Sequence, residues 1–205
     1  MVWRHFPRWS LLLAALSLLA VSAAAGDWPE WRGPTRDGKS PEKGLPSSWS
    51  PAGENLAWRA PYGGRSTPVV FNNRVYLLNT AGEGASLQER LVALDANTGK
   101  LLWEYKYNVY LSDVPPHRAA WSSPSVDPQT GNIYNFGVGG TLAAFSPAGK
   151  LLWKRSMNEE FGVVTTHGGR TVSPLIHEDL ILVSGLTSNW GDQARGLHRF
   201  FGFDK

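Results

Sequence analysis

The chain repeats a short hairpin pattern about every fifty residues, and this repeat limits the folds open to it more than any other feature. Residues 91–107 place two apolar runs around a cluster of turn-forming residues, residues 141–154 repeat the arrangement, and residues 200–205 begin it again. The pattern predicts a β-hairpin in each copy, within a structural unit that recurs along the chain. The residues that return after 50 positions are Gly99 with Gly149 and Trp103 with Trp153.

The turn of the first copy contains residues that favour a tight reversal. Asp95 can accept hydrogen bonds from the backbone two residues later, and Gly99 can adopt a positive φ without a Cβ clash. Trp103 then falls on the second strand, directly after the turn. Asp95 is therefore interpreted as structural, and so are Asp127 and Asp204, which also fall at turns.

A second hairpin precedes each copy, so that each unit contains four strands. Every upstream hairpin starts at a proline, continues through a polar turn and enters an apolar run. Four strands in about fifty residues match a blade of a β-propeller, and no helical period competes with this pattern. The expected fold is all-β, a β-propeller of four-stranded antiparallel blades. The three starting segments are Ser66-Thr67-Pro68, Ser122-Ser123-Pro124 and Val172-Ser173-Pro174.

The strand count predicts an incomplete ring of roughly two and three-quarter blades. Residues 63–107 and 118–157 would form two blades, residues 170–205 three strands of another, and residues 53–62 an outer strand that closes the ring. Since a propeller needs about four blades or more, the chain is expected to be an N-terminal fragment of a longer propeller. The alternative is an open solenoid-like stack, which would require polar capping repeats.

The motif Ala93-x-Asp95-x-x-Thr98-Gly99-x-x-x-Trp103 resembles the repeat of the pyrroloquinoline quinone (PQQ)-type propellers, and the resemblance covers residues 53–205. The second copy departs from it, because Ser146 replaces the aspartate. This family includes quinoprotein alcohol dehydrogenases and the non-catalytic propeller lipoprotein of the outer-membrane β-barrel assembly machine. The resemblance implies a propeller in which the indole docks between blades. The structural repeat residues would be Asp95, Thr98, Gly99, Trp103, Gly149 and Trp153.

Residues 1–25 have the pattern of a secretory signal peptide. Arg4 and Arg8 precede an apolar stretch at residues 11–21 that is too short to span a bilayer, and small residues follow at 23–25. We expect a periplasmic or extracellular protein with no transmembrane segment after cleavage; an uncleaved membrane anchor is the alternative. The chain contains no cysteine, so it has neither a lipidation site nor a disulfide.

The charge of the mature chain points away from nucleic acid. Loss of Arg4 and Arg8 leaves 18 of the 20 basic residues against 17 acidic ones, which is close to neutral. A nucleic-acid-binding domain would be expected to carry a basic patch or stripe. No nucleic-acid partner is therefore expected.

The segment at residues 26–52 is rich in tryptophan, proline and glycine and has no periodicity. We interpret it as an ordered, irregular N-terminal arm, because Trp28, Trp31 and Trp49 are too many indoles for a disordered linker. The indoles are expected to pack against the propeller. Alternatively, Trp28 and Trp31 form a platform on which carbohydrate stacks.

No catalytic residue can be assigned from the sequence. It contains no nucleophile elbow, phosphate-binding glycine loop or zinc-binding helix motif. The resemblance allows PQQ with calcium as a cofactor, but the repeat motif identifies blades and no ligand positions. The adjacent-cysteine disulfide that many quinoprotein dehydrogenases have is absent here.

Basic residues stand shortly before the start of each unit, in connections that would cross one face of a propeller. They would form part of a positive ring that attracts a protein or a polar or anionic ligand. The alternatives are ordinary hydrated loop arginines, or catalysis by one of the histidines. The residues of this candidate face are Arg65, His117, Arg118, Trp121, His167 and Arg170.

Two function classes remain open. The favoured one is a secreted or periplasmic PQQ-like propeller that acts as a binding and interaction scaffold, similar to the outer-membrane assembly proteins and without a catalytic site. The other is a PQQ-dependent alcohol or sugar dehydrogenase whose catalytic residues lie mostly beyond residue 205. Fold alone does not decide between them.

Overall fold

The computed structural model describes residues 26–109, 116–164, 172–187 and 196–205. In these ranges nearly all regular structure is β, arranged as three four-stranded sheets in which every pairing is antiparallel. The strands are β1 Val69–Phe71, β2 Arg74–Ala81, β3 Gln88–Asp95, β4 Leu101–Asn108, β5 Ser125–Val126, β6 Ile133–Phe136, β7 Thr141–Phe145, β8 Leu151–Ser156, β9 Val163–Val164, β10 Leu175–His177, β11 Leu180–Thr187 and β12 Leu197–Asp204.

The first two sheets have the same strand order, β1-β2-β3-β4 and β5-β6-β7-β8. Their registers correspond closely, since Ala93 pairs with Trp103 in one sheet and Ala144 pairs with Trp153 in the other. A register shift follows each of these pairs, at the turn that the two copies share. The expected all-β propeller with four-stranded antiparallel blades is confirmed.

The third sheet differs from the first two. Strands β10, β11 and β12 follow the expected order, but β9 also pairs with β11, at the opposite end from β10. A short helix, α1 (Met157–Phe161), precedes β9; the Ser156 hydroxyl accepts a hydrogen bond from Glu159 N, and Gly162 ends the helix at φ 64°. Glu159 and Glu160 therefore lie in the first turn of a helix.

The core lies between neighbouring sheets. Tyr76 and Leu91 of the first sheet pack with Phe145 of the second, and Phe136 of the second packs with Val183 of the third. Alternate strand residues point to opposite faces, so each sheet contributes side chains to the interfaces on both sides. This arrangement stacks the blades around the inner strands β1, β5 and β10.

The N-terminal arm runs across these inner strands. Trp28 forms a β-bridge with Val70 of β1, the Pro29 carbonyl accepts the N–H of Val126 in β5, and Arg36 donates to the carbonyl of Ile176 in β10 at 2.5 Å. The arm therefore hydrogen-bonds to the innermost strand of all three blades. Two 3₁₀ turns complete the described structure, Gly84–Ser86 and Pro116–Arg118, and no described helix has the length and apolar character to cross a membrane.

Candidate functional site

The candidate site lies at one end of the blades, where the chain passes from the outer strand of one sheet to the inner strand of the next. Two arginines meet one indole there. The Arg118 guanidinium carbon is 4.6 Å from the centre of the Trp121 ring, and that of Arg65 is 5.7 Å away. The first of these distances is that of a close cation–π pair, the second of a looser one. Arg65 precedes β1 and Arg118 precedes β5, so the two arginines come from different blades.

Four of the six residues predicted for the face therefore come together. His117 is exposed and lines a small cavity of about 110 Å³ with Arg65, beside Ala119 and Ala120. The Trp121 side chain keeps 39% of its surface accessible to solvent. His167 and Arg170 lie outside the described residues.

Hydroxyl groups join the starts of the three inner strands. The backbone N–H of Thr67 donates to Ser123 Oγ at 2.9 Å, and the N–H of Ser123 donates to Ser173 Oγ at 2.9 Å. Each of these residues stands directly before the proline that opens its blade. The same contact is thus repeated from blade to blade, and the accepting hydroxyls keep their own protons to donate.

A cleft of about 370 Å³ opens beside these hydroxyls. Trp31 of the arm forms one wall, with 58% of its surface exposed, and Arg65 and Trp121 line the cleft as well. Trp28 is half-buried and its ring lies against the Gly33 backbone of the arm itself, whereas Trp31 and Trp49, the latter 69% exposed, do not show the expected packing against the propeller.

Behind the face lies a buried carboxylate that no sequence motif indicates. Glu89 on β3 is fully buried; its Oε1 accepts the N–H of Ala120 at 2.6 Å, and both its oxygens accept the N–H of Val138 at 3.1 Å. Burial raises the pKa of Glu89, and the hydrogen bonds from Val138, Ala120 and Tyr107 only partly oppose that shift. In the sequence Glu89 stands between Gln88 and Arg90 at the polar start of the strand, so nothing there marked it as buried.

Tyr107 and Asn135 complete this buried polar cluster. The Tyr107 hydroxyl is hydrogen-bonded to Glu89 and accepts a hydrogen bond from Asn135 Nδ2 at 2.6 Å. Desolvation, followed by the negative charge of Glu89, raises the pKa of Tyr107 well above its usual value. A Cβ at Gly137 would collide with Glu89 Oε2 and with the Tyr107 hydroxyl, so glycine allows the close approach of the second blade.

The described residues do not fit a quinone held by calcium. Calcium takes six to eight oxygen ligands, and the described acidic residues near the face already have other partners. Glu89 is bound to backbone N–H groups, and Glu30 pairs with Arg36 at 2.8 Å. No described trio of His, Asp or Glu side chains is grouped as a metal site would require.

The turn residues of the repeat lie far from this face, at the opposite end of the strands. Asp95 Oδ1 accepts hydrogen bonds from the Thr98 N–H and the Thr98 hydroxyl, both at 2.8 Å, and Gly99 has φ 68°. Hydrogen bonding from the Thr98 side chain is the main cause of the lowered pKa of Asp95. Gly149 has φ 83° in the second turn.

Solved structures of two kinds resemble the chain, with low sequence identity. A europium-containing methanol dehydrogenase matches with a TM-score of 0.49 and 19% identity over 73% of this chain and 25% of its own length. A quinohemoprotein alcohol dehydrogenase from Comamonas testosteroni matches at 0.46 and 21%, over 73% of this chain and 21% of its own length. BamB from Moraxella catarrhalis matches at 0.43 and 13%, over 72% and 36%.

The chain thus spans between about a fifth and a third of the length of these solved structures. No protein with a curated functional description matches it in sequence. The model of one family, described as outer membrane protein assembly factor BamB, matches residues 42–198. This match covers most of the chain and includes both complete blades, and the chain therefore belongs to that PQQ-like repeat family.

Proposed function

We propose that this protein is a binding scaffold. Its loop face, the surface that carries Arg65, His117, Arg118 and Trp121, recognises an anionic segment of a partner. The observation that carries the proposal is the pair of arginines, Arg65 and Arg118, gathered from two blades onto the exposed ring of Trp121. A rigid ring that presents loops at one end is a frequent way to build a recognition surface.

The chemistry of the face favours carboxylate or phosphate groups. An arginine that stacks on an indole keeps its planar donors free at the edge, where they can bind an anion in a bidentate manner. Ser123 and Ser173 add hydroxyl donors along the cleft. Trp31 and Trp121 offer apolar area beside these charges, and aromatic residues with arginine are the side chains enriched at binding hot spots.

The position of the N-terminal arm supports a scaffold. Its hydrogen bonds with Val70, Val126 and Ile176 occupy backbone groups of the three inner strands. The inner strands of a propeller line its central channel, so a ligand in that channel would approach these same groups. We further propose that residues 1–25 direct export and are removed, which would place the scaffold in the periplasm or outside the cell.

A quinoprotein dehydrogenase remains the second candidate, for one reason. The cleft of about 370 Å³ has the size of a small-molecule site and two indoles on its walls. Its described lining includes no carboxylate to hold calcium, so such a cofactor would need carboxylates from outside the described residues.

Binding of a hexaglutamate peptide, measured by calorimetry at two salt concentrations, tests the scaffold. We expect weak binding at about 20 mM salt that is lost at about 500 mM, because salt screens exposed charges. Arg65→Ala and Arg118→Ala should each weaken binding about five-fold, the equivalent of about 1 kcal/mol. Lys100→Ala and Lys150→Ala remove charges from turns at the opposite end of the blades and serve as controls.

The same preparation distinguishes the two candidates. The protein is mixed with PQQ and Ca²⁺, passed through gel filtration, and examined for quinone absorbance and dye-linked alcohol oxidation. A scaffold should show neither. Stoichiometric quinone retention, or hexaglutamate binding that the two arginine variants leave unchanged, would reject the proposal.

A further inference from the structure

We infer that Glu89 is a positioning residue of the loop face: across the boundary between two blades, it holds the backbone that presents Arg118 and Trp121. The inference rests on the proposed function for the role of that face, but the contact itself does not. Glu89 belongs to the first blade, whereas Ala120, whose N–H it accepts, begins the approach to the second.

The loop needs such a contact because Ala120 has an unfavourable backbone conformation. Its φ is +56°, a region that residues with a Cβ adopt at a cost. Ala120 N–H donates to Glu89 Oε1 at 2.6 Å, and the next residue is Trp121. This short hydrogen bond at the strained residue fixes the direction in which the following indole leaves the core.

The contact is specific to this blade. In the registers of the three sheets, the position of Glu89 corresponds to Gly140 in the second and His198 in the third. The turn glycine and the docked indole recur in both complete blades. A residue needed by every blade would also recur, so Glu89 serves a local purpose. Its carboxylate contacts the loop before the second blade, and we infer that holding this loop is its local purpose.

The cluster around Glu89 can satisfy the hydrogen bonds of a neutral side chain at position 89 as well as those of a carboxylate. The Tyr107 hydroxyl donates to Glu89 and accepts from Asn135, whereas Asn135 Oδ1 is buried without a partner. If Glu89 donates instead, the hydroxyl of Tyr107 can turn and donate to an Asn135 oxygen after an amide flip. Tyr107 is the titratable group that contacts Glu89 among the described residues.

The shape of the side chain at position 89 and the position of its acceptor oxygen should therefore matter more than its charge. In Glu89→Gln, the amide oxygen can still accept the N–H of Ala120, and the amide nitrogen can donate to Tyr107. In Glu89→Ala the two backbone N–H groups lose their acceptor. Glu104, an exposed acid on the neighbouring strand that pairs with Lys106 at 2.7 Å, provides the matched control, Glu104→Ala.

Amide hydrogen exchange and hexaglutamate binding test the inference together. In Glu89→Ala we expect the amides of residues 120 and 138 to exchange at least ten-fold faster while the strand amides of β2 and β7 stay protected. Peptide affinity should fall about ten-fold, whereas Glu89→Gln should stay within about three-fold of the parent and Glu104→Ala should match it. Unchanged exchange at residue 120 in Glu89→Ala would overturn the inference.

A second variant keeps the test decisive if Glu89→Ala proves unstable. Ala120→Gly removes the penalty of the positive φ, so in the double variant the loop can keep its course without the carboxylate. Partial recovery of binding in Glu89→Ala/Ala120→Gly supports positioning, and no recovery in a folded double variant contradicts it. If the parent protein does not bind hexaglutamate, the proposed function fails, while the exchange rates still decide the role of Glu89.

Discussion

The indole of Trp103, on the outer strand of the first blade, covers Gly149 in the hairpin turn of the second. A Cβ on Gly149 would lie 2.6 Å from the Trp103 ring, and Trp103 Nε1 donates to the Pro147 carbonyl at 3.0 Å. Trp58 repeats the relationship one blade earlier, against Gly99 and the Ala96 carbonyl at 2.8 Å. The turn of each complete blade therefore receives the indole that precedes it in the ring.

Gly149→Ala should destabilise the protein by more than the cost of its backbone conformation. Gly149 has φ +83° and no room for a Cβ, whereas Gly44 has φ +71° and nothing within 4 Å. Gly44→Ala should cost about 1–2 kcal/mol for the left-handed conformation. Gly149→Ala should cost about 2 kcal/mol more, because the indole must move. Urea unfolding of both variants measures the difference; equal costs would show that the indole is not tightly docked.

Trp103→Ala should lower the free energy of unfolding by about 3–5 kcal/mol, the usual cost of truncating a packed aromatic side chain. Trp58→Ala should have a comparable effect through the same contact. Arg65→Ala and Arg118→Ala, on the exposed face, should stay within about 0.5 kcal/mol of the parent. Denaturant unfolding of the four variants compares them directly. If the arginine variants lose as much stability as Trp103→Ala, the arginines hold the loops together and are not a binding face.

The blade architecture was accessible from the sequence because the glycine of the hairpin turn and the tryptophan four residues after it recur at the same spacing in both complete blades. Asp95, Thr98 and Gly99 specify one turn geometry through local hydrogen bonds, and a period of about fifty residues admits few other folds. The sequence predicted that Arg65 and Trp121 share a face, but it did not predict that the two side chains lie against each other. The closeness of the two side chains depends on the course of the connections between blades, in which little more than the basic residues before each unit recurs.

Other features depend on contacts that no local pattern encodes. Glu89 looks like any charged strand residue until the second blade places the Ala120 N–H beside it. Strand β9 is two residues long and pairs with residues more than twenty positions away, so alternation could not identify it. The path of the arm is also long-range, since Trp28 meets Val70 and Arg36 reaches Ile176.

Trp28→Ala should destabilise the protein by about 3 kcal/mol, the low end of the usual cost of truncating a packed tryptophan, since Trp28 is half-buried, as Trp103 is. It removes the indole that packs on Gly33, at the residue whose backbone forms the β-bridge with Val70 of β1. Trp49→Ala is the matched control within the same arm, and its exposed side chain should make the change nearly neutral. Thermal unfolding of the two variants tests whether the arm is an integral part of the blades. Equal, small effects would show that it is not.

The stability of the protein should depend on pH through Glu89, with a sign opposite to that of most carboxyl groups. Burial raises the folded-state pKa of Glu89 above its ordinary value of 4.5, so in a window above that value the folded protein holds a proton that the unfolded chain has released. The contribution of Glu89 to the free energy of unfolding is fully present when the pH is below the ordinary pKa, and it is lost as the pH rises through the folded-state pKa. Asp95 has a lowered pKa in the folded protein, so its contribution is present at higher pH and is lost as the pH falls through that folded-state pKa.

Glu89→Gln isolates this contribution, because it removes the titration and keeps an acceptor for Ala120. We expect the free energy of unfolding of Glu89→Gln, relative to the parent, to rise with pH above about 4.5 by up to about 1.4 kcal/mol per pH unit. The difference should level off once the pH exceeds the folded pKa of Glu89. Urea unfolding of both proteins at half-unit steps from about pH 4 to 9 measures it. A difference that is flat with pH, or that falls as pH rises, would mean that Glu89 keeps an ordinary or lowered pKa in the folded protein, and that the hydrogen bonds from Ala120, Val138 and Tyr107 outweigh its burial.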